Sequence, residues 1–272
     1  MLSRFVLPAL SILCLLCLRE YALLPNGTLQ MYTLDVGQGD ALLLVTPGGA
    51  QIVIDGGPNL DLLSHLGTHL PFFDRTIELV VLSHPDADHV TALPEVLRRY
   101  RVNAVLMSGA VQRSGRYEAL LALLASHAVP ILPADPAQDI VFDDGTVLDV
   151  VWPPTDVFGR EQDEPNDASV VFRVLARDTR ILLTGDIGKD AEQGILASGA
   201  DVEADILKVP HHGSRTSSST GFLLAVAPKL AVLSAGRNNT FGHPHADVMD
   251  RYKQLGIPIR NTQHERTIPL EW

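Results

Sequence analysis

Cysteine is almost missing from this chain: there are two, Cys14 and Cys17, both inside one apolar stretch near the N-terminus. The rest of the sequence therefore holds neither a disulfide framework nor thiolates for a metal, and any metal bound here must use histidine and carboxylate. Basic charge is scarce as well. With 21 Lys and Arg against 32 Asp and Glu, the formal net charge is -11. That argues against a protein whose main work is neutralising phosphates, because nucleic-acid affinity rests largely on Lys and Arg displacing condensed counterions. A bound divalent metal would offset part of the negative charge locally. What the chain does have is length: 272 residues at 46% hydrophobic are enough to bury a large core.

Residues 1–25 read as a hydrophobic membrane anchor or the remnant of a last transmembrane helix, and residues 26–272 as one sizeable domain. The apolar run "FVLPALSILCLLCL", Phe5 to Leu18, is flanked by Arg4 and Arg19. As a helix its 14 residues rise roughly 21 Å, short of a bilayer core of about 30 Å unless flanking residues snorkel. A cleaved signal peptide and a buried helix compete with an anchor. No small-residue cleavage pattern follows Leu18, so anchoring is favoured over release. Arg4 inside and a chain leaving the membrane after Leu18 would place the domain outside the cytoplasm, as a single-pass protein of the cell membrane, although Arg19 weakens the asymmetry.

From Leu29 the pattern changes to short strand-like runs between glycine-rich turns: "LQMYTLDV", "DALLLVT" and "AQIVIDGG". A buried strand ends "PFFDRTIELVVLSH", and "PEVLRRYRV" reads as a helix with Pro94 in its first turn. Strand "NAVLMSG", helix "GRYEALLALLASHAV" and the apolar runs "VPILPA" and "TVLDVVWP" follow. The second half repeats the plan: the hairpin "ASVVFRVLA" and "TRILLTGD", helix "DAEQGILAS", strand-to-loop "ADILKVPHHGS", helix "GFLLAVAP", strand "LAVLSAG", helix "ADVMDRYKQLG" and a last strand. Two sheets with helices outside are the economical arrangement. Residues 154–167 read as a long loop, either a functional lid or disordered.

The chemistry-bearing stretch is "VVLSHPDADHVTAL". An apolar strand runs straight into His84, Asp86, Asp88 and His89, and a loop at a strand end can turn several such side chains toward one point. Imidazole and carboxylate at this spacing suit two neighbouring divalent ions. Asp88 as a plain helix cap would explain one residue of the four.

"SHPDADH" resembles the signature of the metallo-β-lactamase superfamily, usually H-x-H-x-D-H. "LDVGQGDALLL", "VIDGG", "LLTGD", "LKVPHHGS" and "FGHPH" together resemble the hydrolase domain of the ComEC competence family, the DNA-uptake channel proteins. The resemblance runs from Leu29 to the C-terminus. It implies an α+β fold, the αβ/βα sandwich of two mixed sheets with helices on the outer faces, preceded here by one hydrophobic helix. It implies two divalent metal ions. His84 and Asp86 match ligands of the first metal, Asp88 and His89 ligands of the second, and Asp186 the carboxylate bridging both. In "PHHGS" His212 is the expected ligand of the second metal and His211 the neighbour beside the substrate phosphate or supporting a ligand.

Two departures stand out. Asp86 replaces the usual second histidine of the signature, and the third-motif histidine expected before "ASVVFRV" is missing, with Asn166, Asp167 and Ser169 in its place. Asn166 is a candidate weak ligand or a partner for bound water. Both departures enrich the first site in oxygen, which favours Mn2+ while leaving Zn2+ open. Asp55 in "VIDGG" is expected to support the ligand loop, and Asp40 to line the site within the loop Gly37–Gly39; Gln38 by itself carries no chemistry. His243 and His245 are expected on the substrate side. "RRYR" at 98–101 reads as a solvated helix end or, alternatively, a phosphate patch.

The expected reaction is phosphodiester hydrolysis, with two cations roughly 3.5–4 Å apart activating water and stabilising attacking and leaving oxygens. Asp88 and the histidines His211, His243 and His245 are the expected catalytic groups. The resemblance implies a membrane-anchored nuclease acting on single- or double-stranded DNA during uptake for transformation, beside a channel of the competence machinery. A phosphodiesterase for a small or cell-wall substrate, such as a phosphocholine ester, and a non-catalytic DNA-guiding module with a degenerate first metal site are the alternatives.

Overall fold

The structure, a computed structural model, describes residues 3–154, 157–161 and 164–272, with side chains from residue 7 onward. After helix α1 (Ser3–Ala22) come the antiparallel strands β1 (Gln30–Thr33), β2 (Leu42–Val45) and β3 (Gln51–Ile54), then α2 (Asp61–His69). Next are β4 (Thr76–Ile77), β5 (Leu79–Leu82), α3 (Ala87–Val90), α4 (Leu93–Arg99), β6 (Arg101–Val102), β7 (Val105–Met107), α5 (Gly115–Ser126) and β8 (Ile131–Pro133). The second half runs β9 (Ile140–Val141), β10 (Val147–Trp152), β11 (Val171–Ala176), β12 (Thr179–Leu183), α6 (Lys189–Ser198), β13 (Ile206–Lys208), α7 (Thr220–Val226) and β14 (Leu230–Leu233). It closes with α8 (Ala246–Gln254), β15 (Ile259–Asn261), α9 (Thr262–Glu265) and β16 (Ile268–Glu271).

One seven-stranded sheet has the order β16-β1-β2-β3-β5-β7-β8, the other β15-β14-β13-β12-β11-β10-β9. Each mixes antiparallel and parallel pairs. Alternation along each strand builds the layers, since successive side chains point to opposite faces. Leu42, Leu44, Ile52, Ile54 and Val81 of the first sheet meet Leu148, Phe172, Val174, Ile181 and Ile206 of the second in a central core. Leu43, Val53 and Val80 turn outward against Leu62, Leu66, Val96 and Leu120 of α2, α4 and α5. On the far side Leu182, Leu207 and Ala231 face Ile195, Phe222, Val248 and Tyr252 of α6, α7 and α8. The last strand returns to the first sheet, where β16 pairs antiparallel with β1 and closes the sandwich.

Three local expectations change. The helix read through "PEVLRRYRV" stops at Arg99, because Tyr100 turns extended and Arg101–Val102 pairs in parallel with β4. Arg98 and Arg99 are solvated and bonded to Glu95 at 3.1 and 2.8 Å. Helix α2 was not read in "NLDLLSHLGTHL"; only Leu62 and Leu66, one turn apart, are buried in it. Of the expected loop 154–167, residues 155, 156, 162 and 163 lie outside the described residues. Its end, Pro165–Ala168, is a 3-10 turn held down by Trp152 Nε1 donating to Asp167 O at 2.6 Å.

Helix α1 meets the domain through its last turn. Arg19 donates to Gly67 O and Thr68 O at the end of α2, at 2.7 and 3.1 Å, and Glu20 accepts from Phe72 N at 2.8 Å. Leu7, Leu10, Leu13, Leu16 and Leu18 are exposed, and steps of about 100° per residue spread them around the helix. Among the described residues no helix is long and apolar enough to cross a membrane. The single-pass span expected from the sequence is therefore not met; the run from Phe5 to Leu18 is too short for a core of about 30 Å.

Candidate metal centre

The site forms where strand ends of both sheets converge. β5 delivers Ser83 and His84, α3 carries Asp88 and His89 with Asp86 as its N-cap residue, and the turn after β12 presents Asp186. After β13 the turn Pro210–Gly213 holds His211 (φ 47°) and His212 (φ 50°) in left-handed backbone. Asp55, after β3, is left-handed too, at φ 59°. Non-glycine residues seldom adopt that conformation, and clusters of them mark sites where geometry outweighs local strain.

Each buried imidazole has its Nδ1 occupied and its Nε2 turned inward. His89 Nδ1 lies 2.8 Å from Asp55 Oδ2, and His212 Nδ1 2.9 Å from Ser234 O. His84 Nδ1 lies 3.1 Å from Ser83 Oγ, whose own hydrogen goes to Asp55 Oδ2 at 2.6 Å. These acceptors hold the Nδ1 hydrogen and leave Nε2 as the atom that faces the centre, a lone pair once any proton on it is displaced. The Nε2 atoms of His84, His89 and His212 are buried without a hydrogen-bond partner among the described residues. They converge with the carboxylates: Asp186 Oδ2 lies 3.1 Å from His212 Nε2 and 3.4 Å from His89 Nε2, and Asp88 Oδ2 lies 3.6 Å from His212 Nε2. Two ligand atoms at roughly 2.1 Å from one tetrahedral ion stand about 3.4 Å apart. The donors His89, Asp186 and His212 thus have spacings that suit a divalent ion, with Asp88 Oδ2 beside the two imidazoles.

The first-metal group is sparser. His84 Nε2 and Asp86 Oδ2 are 3.7 Å apart, and Gln112 Nε2 donates to Asp86 Oδ1 at 2.7 Å, leaving Oδ2 for the centre. Asn166, the candidate replacement for the missing histidine, has its amide 3.4 Å from His211 Nε2. His211 Nε2 in turn is 3.9 Å from Asp186 Oδ2. Ser169 stands behind this edge, donating to Asn166 O at 2.6 Å and accepting from Asp186 N at 3.2 Å. His243 lies across the opening, its ring centre 5.7 Å from that of His211 and 6.3 Å from that of His212. His245 is one step farther out, 5.0 Å from His243, and its Nδ1 accepts from Arg215 N at 3.2 Å.

Electrostatics follow from burial among opposite charges. Burial opposes charging His89 and His212, but the carboxylate of Asp186, joined by Asp55 and Asp40 respectively, holds both pKa values well above that of free imidazole. Asp186 is held well below the ordinary carboxylate range, because its burial is outweighed by His212, His89 and Lys208. The neighbouring His84 brings Asp86 down to about 2. His243 falls to about 4, through burial first and then the surrounding imidazoles.

The loop around Gly37–Gly39 packs directly on the ligand helix. A Cβ on Gly39 would sit 2.3 Å from Asp88 O, so only glycine allows this approach. Asp40 N donates to Asp88 O at 3.2 Å and Ser234 Oγ to Gly39 O at 2.7 Å. Gln38, given no role from sequence, accepts from Gly236 N at 3.0 Å. Sequence reasoning also passed over Ser83, Gln112 and Lys208. Lys208 carried a signal, a lysine at the end of an apolar strand.

Residues 34–237 match the metallo-beta-lactamase superfamily, and the chain belongs to that superfamily. It is similar to ComE operon protein 3 of Bacillus subtilis, 27% identical over 88% of this chain and 32% of that protein. It is likewise similar to Recombination protein 2 of Haemophilus influenzae, 30% identical over 88% of this chain and 28% of that protein. The domain is thus of the ComEC competence type, and the chain spans about a third of the length of these relatives. The metallo-beta-lactamase fold protein YhfI from Bacillus subtilis shares the fold: TM-score 0.58, 11% identity, 90% of this chain and 100% of that one covered.

Proposed function

We propose that this domain is a metal-dependent phosphodiester hydrolase that cuts DNA during uptake. The observation that carries the reading is the convergence on Asp186 Oδ2 of the His89 and His212 Nε2 atoms, both buried without a hydrogen-bond partner among the described residues, a donor set suited to a divalent cation. His84 and Asp86 would hold one ion, Asp88, His89 and His212 the other, with Asp186 between them. Such ions, when bound, supply Lewis acidity and a nucleophile at neutral pH. The chain's own residues do the rest. Asp55 and Ser83 fix the imidazole tautomers, and Ser169 fixes the Asp186 turn. His211 and His243, both with pKa values lowered by burial, offer neutral N–H groups to a phosphate at the opening.

DNA as substrate is supported by the competence relatives. A cleft of about 590 Å³ beside His211 carries Lys189 and Arg215 at its wall, which suits the phosphates flanking a scissile bond. The exposed leucines of α1 support attachment to a membrane, with the domain outside the cytoplasm next to an uptake channel. A small phosphodiester is the second reading, favoured by the net charge of -11 and by Glu164, Asp167 and Asp190 in the same cleft. The test is to load residues from about Gly27 onward with Mn2+ or Zn2+ and to offer single-stranded DNA, double-stranded DNA and bis(p-nitrophenyl) phosphate side by side. Cleavage of the small ester alone would remove DNA from the reading. No hydrolysis at full metal content would leave a guiding module.

A further inference from the structure

Lysine is almost never fully buried unless paired, yet Lys208 is 1% exposed and lies inside the metal centre. It shares a face of β13 with Ile206, which points into the core between the sheets. Its ammonium is clamped by the Asp40 carboxylate, which arrives from the opposite sheet, and by Gly185 O at 3.1 Å. The same nitrogen lies 3.5 Å from Asp186 Oδ1. Asp186 is thereby divided: Oδ1 faces the lysine and Oδ2 faces the histidines. The two oxygens of Asp40 differ as well: one is held by the lysine, while Oδ1 lies 3.4 Å from His212 Nδ1 and is buried without a hydrogen-bond partner among the described residues.

Asp40, His89, Asp186 and His212 could by themselves hold a cation, since one donor atom from each lies within 4.8 Å of the others. One carboxylate of that quartet is instead matched by a charge the protein carries itself. We infer that Lys208 is a positioning residue that acts as a resident cation, withholding Asp40 from the metal and confining Asp186 to a single oxygen. The inference rests on the metal reading above. A divalent ion held by one oxygen of Asp186, beside a fixed positive charge, binds less tightly than the full quartet would allow.

Direction of change separates this role from a merely structural ion pair. Lys208→Met frees Asp40 and removes the neighbouring positive charge, so Mn2+ affinity, read from the EPR signal of the free ion, is expected to rise about tenfold or more. Asp40→Asn leaves the ammonium Asp186 as its neighbouring carboxylate, beside Gly185 O, and Mn2+ affinity is expected to fall about tenfold or more. The neutral pair Asp40→Asn/Lys208→Met is expected to bind Mn2+ with an affinity between those of the two single variants. Wild-type far-UV circular dichroism is the condition for comparing variants. A folded Lys208→Met protein that binds Mn2+ no tighter than wild type overturns the inference. Should that variant fail to fold, Asp40→Asn binding as well as the double variant overturns it instead. Wild-type protein that takes up neither Mn2+ nor Zn2+ would defeat the metal reading itself, a distinct result.

Discussion

His89 Nδ1 and Asp55 Oδ2, 34 residues apart in the chain, lie 2.8 Å apart with both side chains buried. Asp55 also accepts from Ser83 N at 2.8 Å and Ser83 Oγ at 2.6 Å, so one carboxylate orients two successive ligand positions. Asp55→Asn keeps the shape but places an amide where three donors converge. Metal affinity is expected to fall roughly 10- to 100-fold, the usual cost of losing such a partner. Competition against a chromogenic chelator measures it; unchanged affinity would show that the bond only serves folding.

Asp186→Asn is expected to abolish hydrolysis and to lose at least one metal ion per chain. A neutral amide cannot offset the repulsion of two neighbouring cations. Metal content by emission spectroscopy and turnover of bis(p-nitrophenyl) phosphate decide it, and full activity would remove Asp186 from the site.

The two adjacent histidines should separate. His212, buried with Nε2 at 3.1 Å from Asp186 Oδ2, is expected to lower metal content when changed to alanine. His211, at 3.9 Å and half-buried, is expected to lower turnover and keep the metal. The reverse pattern would exchange their roles.

The metal itself should be hard. Asp86 gives the first group oxygen where imidazole is usual, and oxygen donors suit Mn2+ better than Zn2+. Activity is expected to depend on added Mn2+ and to vanish on mild chelation, while Asp86→His is expected to shift preference toward Zn2+. Wild type fully active with tightly held zinc, and unaltered by the substitution, would show that donor softness does not choose the ion here.

Metal binding should be proton-coupled. His89 and His212 titrate well above 6.5 in the metal-free protein, so an ion must displace their protons, and affinity is expected to rise with pH. The stability sign runs the other way. Raised histidine values stabilise the metal-free fold fully below the unfolded pKa of about 6.5, and that contribution is lost as pH rises through the higher folded values. Melting temperature of metal-free protein should therefore fall above neutral pH and recover on adding Mn2+. A metal-free Tm that climbs over that range would contradict the pairing of these imidazoles with Asp186.

Much of this protein was set locally. The continuous apolar run Leu42-Leu43-Leu44 marked a strand, and it is buried on both faces because helices cover one side of its sheet and the second sheet the other. The apolar strand ending at His84 determined where the ligands begin, because a strand end fixes side-chain direction. Asp86 in place of histidine and the missing third-motif histidine were likewise legible before any coordinates. Helix α2 was not, since its burial depends on two leucines and on the sheet beneath them. The break at Tyr100 was decided by pairing with a strand 25 residues earlier. A supporting role for Asp55 and a place for Asp40 at the site were expected from sequence, but the atoms each one meets belonged to the tertiary structure. Asp55 and His89 are 34 residues apart, Asp86 and Gln112 26, and Asp40 and Lys208 168. Whether a carboxylate binds an ion, orients an imidazole or neutralises a buried lysine depends on which atoms the folded sheets bring within about 3 Å, and no local pattern carries that distance.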